Sequence, residues 1–209
     1  MHRIITIGRE FGSGGRELGR RLSEHLGYAY YDQEIVTEIA KRTKLSEEYV
    51  RWVSESRPFT SFPIHIGRSF YVMPDPTLEP SLEVFSQQHT LLKELSEKSD
   101  CIIVGRCADF ILKDKSPFRI FVYADEESKI KRCMERQPAD EKLTEREMKK
   151  QIASMDRNRA QYYSYFSDQK WGAPENYDLM LNTSGKNIKS LSLALASFLT
   201  ATAGPSAAC

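Results

Sequence analysis

A glycine-rich turn between a strand-like run and an amphipathic helix constrains the fold of this chain more than any other feature. Residues 3–7 form a short β-branched run, and a cluster of glycines spans residues 8–15 directly after it. Apolar residues then recur at every fourth position, as on the buried face of a helix, at Leu18, Leu22 and Leu26. The order strand, turn, helix predicts that the turn lies at the carboxyl end of a buried strand.

The tightest part of this turn has the composition of a phosphate-binding loop. Successive backbone N–H groups converge on one concavity only where glycine permits close approach and unusual dihedral angles, and such a concavity binds anions. The alternative is a glycine turn that only lets the strand and the helix pack closely. We predict that the phosphates of a nucleoside triphosphate such as ATP bind at Gly12, Ser13, Gly14, Gly15, Arg16 and Glu17.

The turn departs from the usual pattern G-x-x-x-x-G-K-[ST]. Gly15 stands where the lysine is expected, and Glu17 falls near the position of the hydroxyl residue. A guanidinium group can bind two phosphate oxygens at once. Arg16 is therefore predicted to replace the lysine.

Strand-like and helix-like segments alternate along the rest of the chain. A continuous apolar run at Cys101–Val104 fits a strand buried on both faces, and further strand candidates are residues 28–31, 119–123 and 177–181. Because parallel neighbours need crossover helices, this alternation predicts an α/β fold, a three-layer α/β/α domain around a five-stranded parallel sheet. We assign residues 1–200 to this single domain and expect residues 201–209 to fray.

Two excursions interrupt the alternation. Residues 33–98 are predicted to form a helical excursion that binds the second substrate, a phosphoryl acceptor. Prolines and aromatic residues cluster there from Arg57 to Pro80, and we interpret them as a long clamp loop because a linker would lack the aromatic residues. The other excursion, residues 126–166, is predicted to be a pair of charged helices that forms a lid. Thr144 and Glu147 have the spacing of a capping box inside it.

Polar residues that follow the strands are the next candidates, because ligands of open α/β sheets bind outside the carboxyl ends of the strands. Asp32 follows the second strand, and Arg106 and Asp109 follow the third. We predict that these three residues bind the acceptor, with Arg106 on a phosphate and Asp32 near a hydroxyl or the transferred group. The alternative is an Arg–Asp ion pair that only ties a loop to a helix.

The predicted lid carries arginines suited to a phosphoryl group in transfer. Such transfer depends mostly on positioning and on neutralising charge, and a mobile lid also excludes water. Asp156 and Arg159 share a helix face, so the carboxylate can orient a neighbouring guanidinium group. A solvated pair of charged helices is the alternative. The predicted catalytic residues are Arg16, Arg132, Arg157, Arg159 and Asp156.

The composition argues against several other classes of function. The 30 basic and 29 acidic side chains leave a net charge of +1, so no nucleic-acid partner is expected. Four cysteines without C-x-x-C spacing, and an N-terminus without the apolar core of a signal peptide, favour a cytoplasmic protein. No run approaches the roughly 18 apolar residues of a membrane span. No spacing of a zinc site occurs, so no metal held by the protein alone is expected, and no G-x-S-x-G motif supports hydrolase chemistry.

Taken together, these residues resemble the cytidylate kinase-like family, within the P-loop nucleoside monophosphate kinases, over about residues 4–193. Four segments carry the resemblance: ITIGREFGSGGRELG, VGRCADFILKD with FRIFVYAD, MDRNRAQYY and WGAPENYDLMLNTS. It implies the strand order 2-3-1-4-5 and the use of ATP with Mg²⁺, which the nucleotide would mainly carry. It also implies that Gly105 and Arg106 contact the acceptor phosphate and that Arg132, Asp156 and Arg159 act from the lid.

The chain departs from the family pattern at three places. The lysine of the turn is absent, Ile152 stands where a lid arginine is expected, and Gln33 and Glu38 stand where residues that help to read cytosine are expected. The resemblance implies transfer of the ATP γ-phosphoryl group to a small molecule, first of all a nucleoside monophosphate such as CMP or dCMP. A non-catalytic nucleotide or phosphate sensor on the same fold is the alternative. The oligomeric state stays open, a homodimer included.

Overall fold

The structure is a computed structural model that describes residues 2–53, 63–66, 69–72, 78–138 and 142–202. Its strands are β1 (Ile4–Arg9), β2 (Ala29–Tyr31), β3 (Pro63–Ile66), β4 (Ser69–Val72), β5 (Cys101–Val104), β6 (Phe118–Tyr123) and β7 (Leu179–Asn182). Its helices are α1 (Gly15–Leu26), α2 (Gln33–Thr43), α3 (Glu47–Val53), α4 (Leu78–Lys98), α5 (Ala108–Ile111), α6 (Glu126–Glu135), α7 (Glu145–Ser167) and α8 (Ile188–Thr202).

Strand β1 lies in the middle of a parallel sheet whose order is β2-β5-β1-β6-β7. It pairs with β5 from Ile4 against Cys101 and with β6 from Ile5 against Phe118. Numbered along the chain, these five strands have the order 2-3-1-4-5, so the expected sheet is confirmed. The glycine turn therefore leaves the central strand at the edge where ligands of open α/β sheets bind.

Helices cover both faces of the sheet, and a separate hydrophobic core lies on each face. Successive residues of a strand point to opposite faces. Accordingly, Cys101 and Ile103 of β5 belong to the core formed with α2, α3, α4, α5 and α7, whereas Ile102 and Val104 belong to the core formed with α1 and α8. All four residues of β5 are buried, as their continuous apolar run predicts. The three-layer α/β/α class is confirmed.

Backbone pairing corrects one prediction in the proline-rich segment from Arg57 to Pro80. Strands β3 and β4 form an antiparallel pair with Pro63 opposite Val72, so part of the expected clamp loop is a hairpin. Pro63 is the first residue of its strand, a position where proline is tolerated because the missing N–H disturbs the ladder least. Residues 54–62, 67–68 and 73–77 of this segment lie outside the described residues.

The ends of two helices test further local predictions. Thr144 caps α7, its hydroxyl accepting from the Glu147 N–H while the Glu147 carboxylate accepts from the Thr144 N–H, so the capping box is confirmed. Helix α8 continues to Thr202, two residues into the segment expected to fray. The remainder of that segment, residues 203–209, lies outside the described residues. None of the described helices combines the length and the apolar character needed to cross a membrane.

Candidate functional site

The turn after β1 adopts a backbone that glycine allows and other residues disfavour. Gly12 and Gly14 have φ angles of 75° and 82°, in the left-handed region. A Cβ atom at Gly12 would also lie 2.8 Å from the Cys133 sulfur, and one at Gly14 would lie 2.8 Å from Cδ1 of Ile188. The turn leads directly into α1, whose first-turn N–H groups have no acceptor within the helix and form the positive end of its dipole.

A cavity of about 290 Å³ lies between this turn and the lid helices α6 and α7, and we call it the phosphate cavity. Ser13 is fully buried, and Glu17 lines a neighbouring cavity instead. The other four predicted phosphate-binding residues line the phosphate cavity: Gly12, Gly14, Gly15 and Arg16. The lid contributes three guanidinium groups, those of Arg132, Arg136 and Arg159. Amides facing several arginines are suited to a polyphosphate.

Arg132 connects the turn with the segment that follows β7. Its Nη1 lies 3.5 Å from the Gly12 carbonyl oxygen and 3.4 Å from that of Ser13, and its guanidinium group also donates to Thr183. The Thr183 hydroxyl donates to the Ser13 carbonyl oxygen at 2.6 Å. These donors engage carbonyl oxygens that would otherwise repel a phosphate group at the same turn.

The lid is joined to the turn by an acidic residue of α7 and a lysine of α6. Asp156 Oδ1 accepts a hydrogen bond from the Phe11 N–H at 2.6 Å. Lys129 Nζ lies 3.0 Å from Asp156 Oδ2 and 3.1 Å from Glu10 Oε2, so one ammonium group bridges the turn and α7. Burial alone would lower the pKa of Lys129, but its bonds to Asp156 and Glu10 outweigh burial and raise it.

The two other predicted lid arginines lie in different surroundings. Arg159 Nη1 donates to the Arg9 carbonyl oxygen at 3.4 Å and lies 4.0 Å from Asp156 Oδ1, and its guanidinium carbon lies 5.5 Å from the centre of the Phe11 ring. Arg157 is exposed and lines neither the phosphate cavity nor the acceptor cavity described below. Its catalytic role stays a prediction without a supporting contact.

Arg16 and Glu17, at the start of α1, both take part in ion pairs. Arg16 Nε lies 2.6 Å from Asp32 Oδ2, which links the glycine turn to a predicted acceptor residue, although the Arg16 side chain is 53% exposed. Glu17 accepts from Arg21 at 2.8 Å and from Arg136. Burial raises the pKa of Glu17, but the bonds from Arg21 and Arg136 outweigh it and lower the pKa. The roles of Arg16 and Glu17 on phosphate stay predictions.

The turn after β5 has an unusual backbone. Gly105, Arg106 and Cys107 have φ angles of 74°, 61° and 50°, and such a conformation in two consecutive non-glycine residues costs free energy. Gln88 of α4, which is fully buried, donates to the Arg106 carbonyl oxygen at 2.8 Å and so helps to hold this turn. Strain retained in this way, at the carboxyl end of a strand, is typical of functional sites.

A second cavity opens beside that turn, and we call it the acceptor cavity. It has a volume of about 40 Å³, and its lining includes the predicted residues Arg106 and Asp109. Asp109 is buried and accepts a hydrogen bond from the Tyr163 hydroxyl at 2.7 Å. Burial raises the pKa of Asp109 despite that bond. Asp32 does not line this cavity but lines a separate one with Arg16 and Glu17. Its Oδ1 lies 3.8 Å from Arg9 Nη2.

Arg9 and Arg159 line both cavities. The sequence patterns predicted Arg159 but not Arg9, the last residue of β1, although the strand-end rule that points to Arg106 and Asp32 applies to it equally. Lys129 and Gln88 were not predicted because neither a motif nor a strand end marks them, and Tyr163 was not singled out although it ends the segment MDRNRAQYY. Their part in the site follows from contacts across the fold, which no local pattern reports.

A metal ion held by the protein alone needs several ligating side chains close together. Within the described residues, no three His, Cys, Asp or Glu side chains lie close enough together to hold one. Five arginines, Arg9, Arg16, Arg132, Arg136 and Arg159, line the phosphate cavity, and their charge suits a nucleotide that brings its own magnesium. Glu10 is the one carboxylate residue of that lining.

Comparison with known proteins identifies the family. A sequence profile described as the cytidylate kinase-like family matches residues 4–185. No curated protein sequence matches the chain significantly.

Solved structures share the fold. An uncharacterised protein from Eubacterium ventriosum ATCC 27560 is 25% identical, with a TM-score of 0.68 over 95% of this chain and 99% of that one. A shikimate kinase from Acinetobacter baumannii, solved with shikimate, is 16% identical, with a TM-score of 0.51 over 98% and 96%. An unliganded sugar kinase from Janibacter sp. HTCC2649 is 10% identical, with a TM-score of 0.53 over 97% and 96%. The last two similarities concern the fold alone.

Proposed function

The chain belongs to the cytidylate kinase-like family, and from that premise we propose that it transfers the γ-phosphoryl group of ATP to a small acceptor. A nucleoside monophosphate of the CMP or dCMP type is the acceptor that we propose first. Family membership supports phosphoryl transfer, and the kinase fold is compatible with it. The observation that carries the proposal is that a phosphate cavity and an acceptor cavity share Arg9 and Arg159. Donor and acceptor would then meet at these two side chains.

On the donor side, the glycine turn would bind the phosphates through backbone N–H groups at the start of α1. Arg132 and Arg159 would add positive charge from the lid, while Asp156 keeps α7 joined to the turn through the Phe11 N–H. Magnesium bound with the nucleotide would neutralise charge on the β- and γ-phosphates. Positioning and charge neutralisation are the main requirements for this reaction.

On the acceptor side, Arg106 would bind a phosphate of the acceptor, as the family resemblance implies. Asp32 Oδ1 is buried and accepts no hydrogen bond within the described part of the chain, so it is placed to accept one from a substrate hydroxyl. Arg16 and Arg9 both approach the Asp32 carboxylate. That carboxylate would orient a hydroxyl group of the acceptor and accept its proton.

The proposal is tested by measuring ADP release from ATP and Mg²⁺ with a panel of acceptors. The panel contains CMP, dCMP, UMP, AMP and small alcohols such as shikimate and glucose. We expect acceptor-dependent release, fastest with CMP or dCMP. Faster release with an alcohol would refute the nucleotide acceptor and keep the phosphotransferase. ATP binding without acceptor-dependent release would instead establish the sensor alternative.

Arg106→Ala locates the acceptor in the same assay. Loss of a charged hydrogen bond to a bound phosphate typically costs a factor of about ten to a hundred, so turnover should fall by that much while ATP binding persists. Arg119→Ala is the matched control, because Arg119 pairs with Asp178 beside β6 and lines neither cavity. Equal activity of Arg106→Ala and Arg119→Ala would refute the role of Arg106.

A further inference from the structure

Two positions of the glycine turn have exchanged their residues relative to the usual pattern. In G-x-x-x-x-G-K the first glycine stands five residues before the second, and the lysine follows the second directly. With Gly14 as the second glycine, the pattern places glycine at position 9 and lysine at position 15. This chain has Arg9 and Gly15 at those positions. The basic side chain has therefore moved from the start of the helix to the end of β1.

The geometry explains why the two changes occur together. A Cβ atom at Gly15 would lie 2.6 Å from Cβ of Arg9 and 3.2 Å from its Cγ, closer than carbon atoms of packed side chains approach. Position 15 therefore has no room for a lysine while position 9 carries an arginine. The standard pattern avoids the same clash with the opposite residues, a glycine at the position of Arg9 and a lysine at the position of Gly15.

The guanidinium group of Arg9 extends from there towards the acceptor cavity. It lies against Gly105, where a Cβ atom would collide with Nη1 and would lie 2.9 Å from the guanidinium carbon. Its Nη2 lies 3.8 Å from Asp32 Oδ1. Arg9 as a whole is 8% exposed, and its carbonyl oxygen accepts from Arg159. The missing side chain of Gly105 thus leaves space for the guanidinium group of Arg9, and that of Gly15 leaves space for its Cβ and Cγ atoms.

We propose that Arg9, and not Arg16, supplies the positive charge that the lysine of the turn provides in other phosphate-binding loops. Arg9 is buried and borders both cavities, so its charge would act where the phosphoryl group passes from donor to acceptor. Arg16 is half exposed and lies 2.6 Å from Asp32, so solvent and that carboxylate weaken its field at the phosphates. This inference rests on the proposed function, because it assigns a residue to the same nucleotide site.

The test restores the standard pattern one position at a time. Four proteins are compared: the natural chain, Arg9→Gly, Gly15→Lys and the double variant Arg9→Gly/Gly15→Lys. The melting temperature without ligand reports the steric conflict between positions 9 and 15. The ATP affinity, measured by calorimetric titration with Mg²⁺ present, reports the effect of the positive charge. We expect Gly15→Lys to lower the melting temperature strongly in the natural background and much less beside Arg9→Gly. Equal lowering in both backgrounds would overturn the steric part of the inference.

For binding, we expect Arg9→Gly to weaken ATP affinity by about tenfold or more, the typical effect of losing one charged hydrogen bond. The double variant should recover most of that loss, because the contacts with Arg9 are then gone and Val122 Cβ, at 3.3 Å, needs to shift only slightly. Arg9→Met keeps an unbranched apolar side chain and removes the charge. It therefore shows whether the charge of Arg9 contributes to ATP affinity even if Arg9→Gly does not fold. Arg16→Ala should weaken binding less than Arg9→Met, and Arg119→Ala should leave binding unchanged.

The outcomes separate the inference from the proposed function. ATP affinity that is unchanged in Arg9→Met, or that falls further in Arg16→Ala, would overturn the inference while the kinase proposal stands. A natural chain that binds ATP but phosphorylates no acceptor would refute the kinase, and the binding comparison would still decide the role of Arg9. A natural chain that binds no ATP would overturn both.

Discussion

The two cavities that share Arg9 and Arg159 are built in different ways. Half-exposed groups from the lid line the phosphate cavity, and salt bridges such as Lys129–Asp156 join that lid to the glycine turn. The acceptor cavity is lined by buried residues, including Arg106 and Asp109, and a fully buried glutamine holds its turn. One wall thus consists of the lid helices, of which α7 also packs into a core through Tyr162 and Tyr163, and the other is formed by the turn after β5.

Because the two walls differ, substitutions in them should affect different properties, ligand binding in one and folding stability in the other. Ion pairs at the surface contribute little to the free energy of unfolding, and the side chains of the Lys129–Asp156 pair, 12% and 16% exposed, still reach solvent. Buried hydrogen bonds cost much more when one partner is lost. We therefore expect changes beside the acceptor turn to destabilise the protein, and changes in the lid to affect mainly nucleotide binding.

The largest effect on stability is expected for Gln88→Ala. This change removes a fully buried hydrogen bond to the Arg106 carbonyl oxygen and leaves a cavity, so the free energy of unfolding should fall by about 3 kcal/mol. Denaturation in urea measures it. Gln87→Ala, one position along α4 and half-buried, is the matched control and should cost far less. Similar losses in both variants would remove the contrast between the two walls.

Asp156→Asn, in the lid, should lower ATP affinity more than it lowers the free energy of unfolding. The amide oxygen can still accept from the Phe11 N–H, but the charge that pairs with Lys129 is lost. We expect ATP affinity to fall by about tenfold and the free energy of unfolding by no more than about 1 kcal/mol. Calorimetry and urea denaturation of the same protein give both values. A loss of stability as large as that of Gln88→Ala would contradict the expected difference between the two walls.

Thr144→Ala examines the start of the lid helix α7, one turn before Met148 of the phosphate cavity. It removes the hydroxyl that caps α7, and N-cap substitutions of this kind typically cost about 1 kcal/mol. ATP affinity should stay unchanged, because Thr144 lines neither cavity. Thr144→Ser retains the cap and should restore stability. An altered affinity in Thr144→Ala would mean that the start of α7 influences the phosphate cavity.

The smallest effect is expected from pH. The pKa of Lys129 is raised above its ordinary value of 10.5 in the folded protein, because Asp156 and Glu10 outweigh the effect of burial. Its contribution to stability is therefore complete below about pH 10.5 and is lost as the pH rises through the folded-state pKa. Urea denaturation between pH 9 and 12 should show a steeper decline for the natural chain than for Lys129→Met. Parallel curves would contradict the coupling of Lys129 to the turn.

Local patterns predicted much of the fold. The β-branched run before the glycine cluster became β1, the continuous apolar run became β5, and the spacing of Thr144 and Glu147 became a capping box. Burial periodicity and capping depend on residues a few positions apart, so the sequence carries this information directly. The strand order came from the family resemblance and is confirmed. The hairpin of β3 and β4 was missed because the prolines and aromatic residues there have no alternating pattern.

The candidate site was predicted only in part, because its residues meet across long separations. Lys129 reaches Glu10 from 119 positions away, and Asp156 reaches Phe11 from 145. Strand-end reasoning found Asp32, Arg106 and Asp109 but not the hydrogen bonds from Gln88 and Tyr163 that support the acceptor turn. Such pairs depend on how crossover helices stack on the sheet, which no local pattern contains.

The sequence by itself determined that a glycine-rich turn, with Gly15 where G-x-x-x-x-G-K has lysine, follows the first strand, since glycine spacing and hydrophobic period are local properties. Only the tertiary structure decided which basic side chain lies beside that position. The stem of Arg9 fills the space that a side chain at Gly15 would need, and its guanidinium group lies against Gly105 on the neighbouring strand's turn. That arrangement exists because β1 and β5 are parallel neighbours whose carboxyl ends meet at one edge of the sheet.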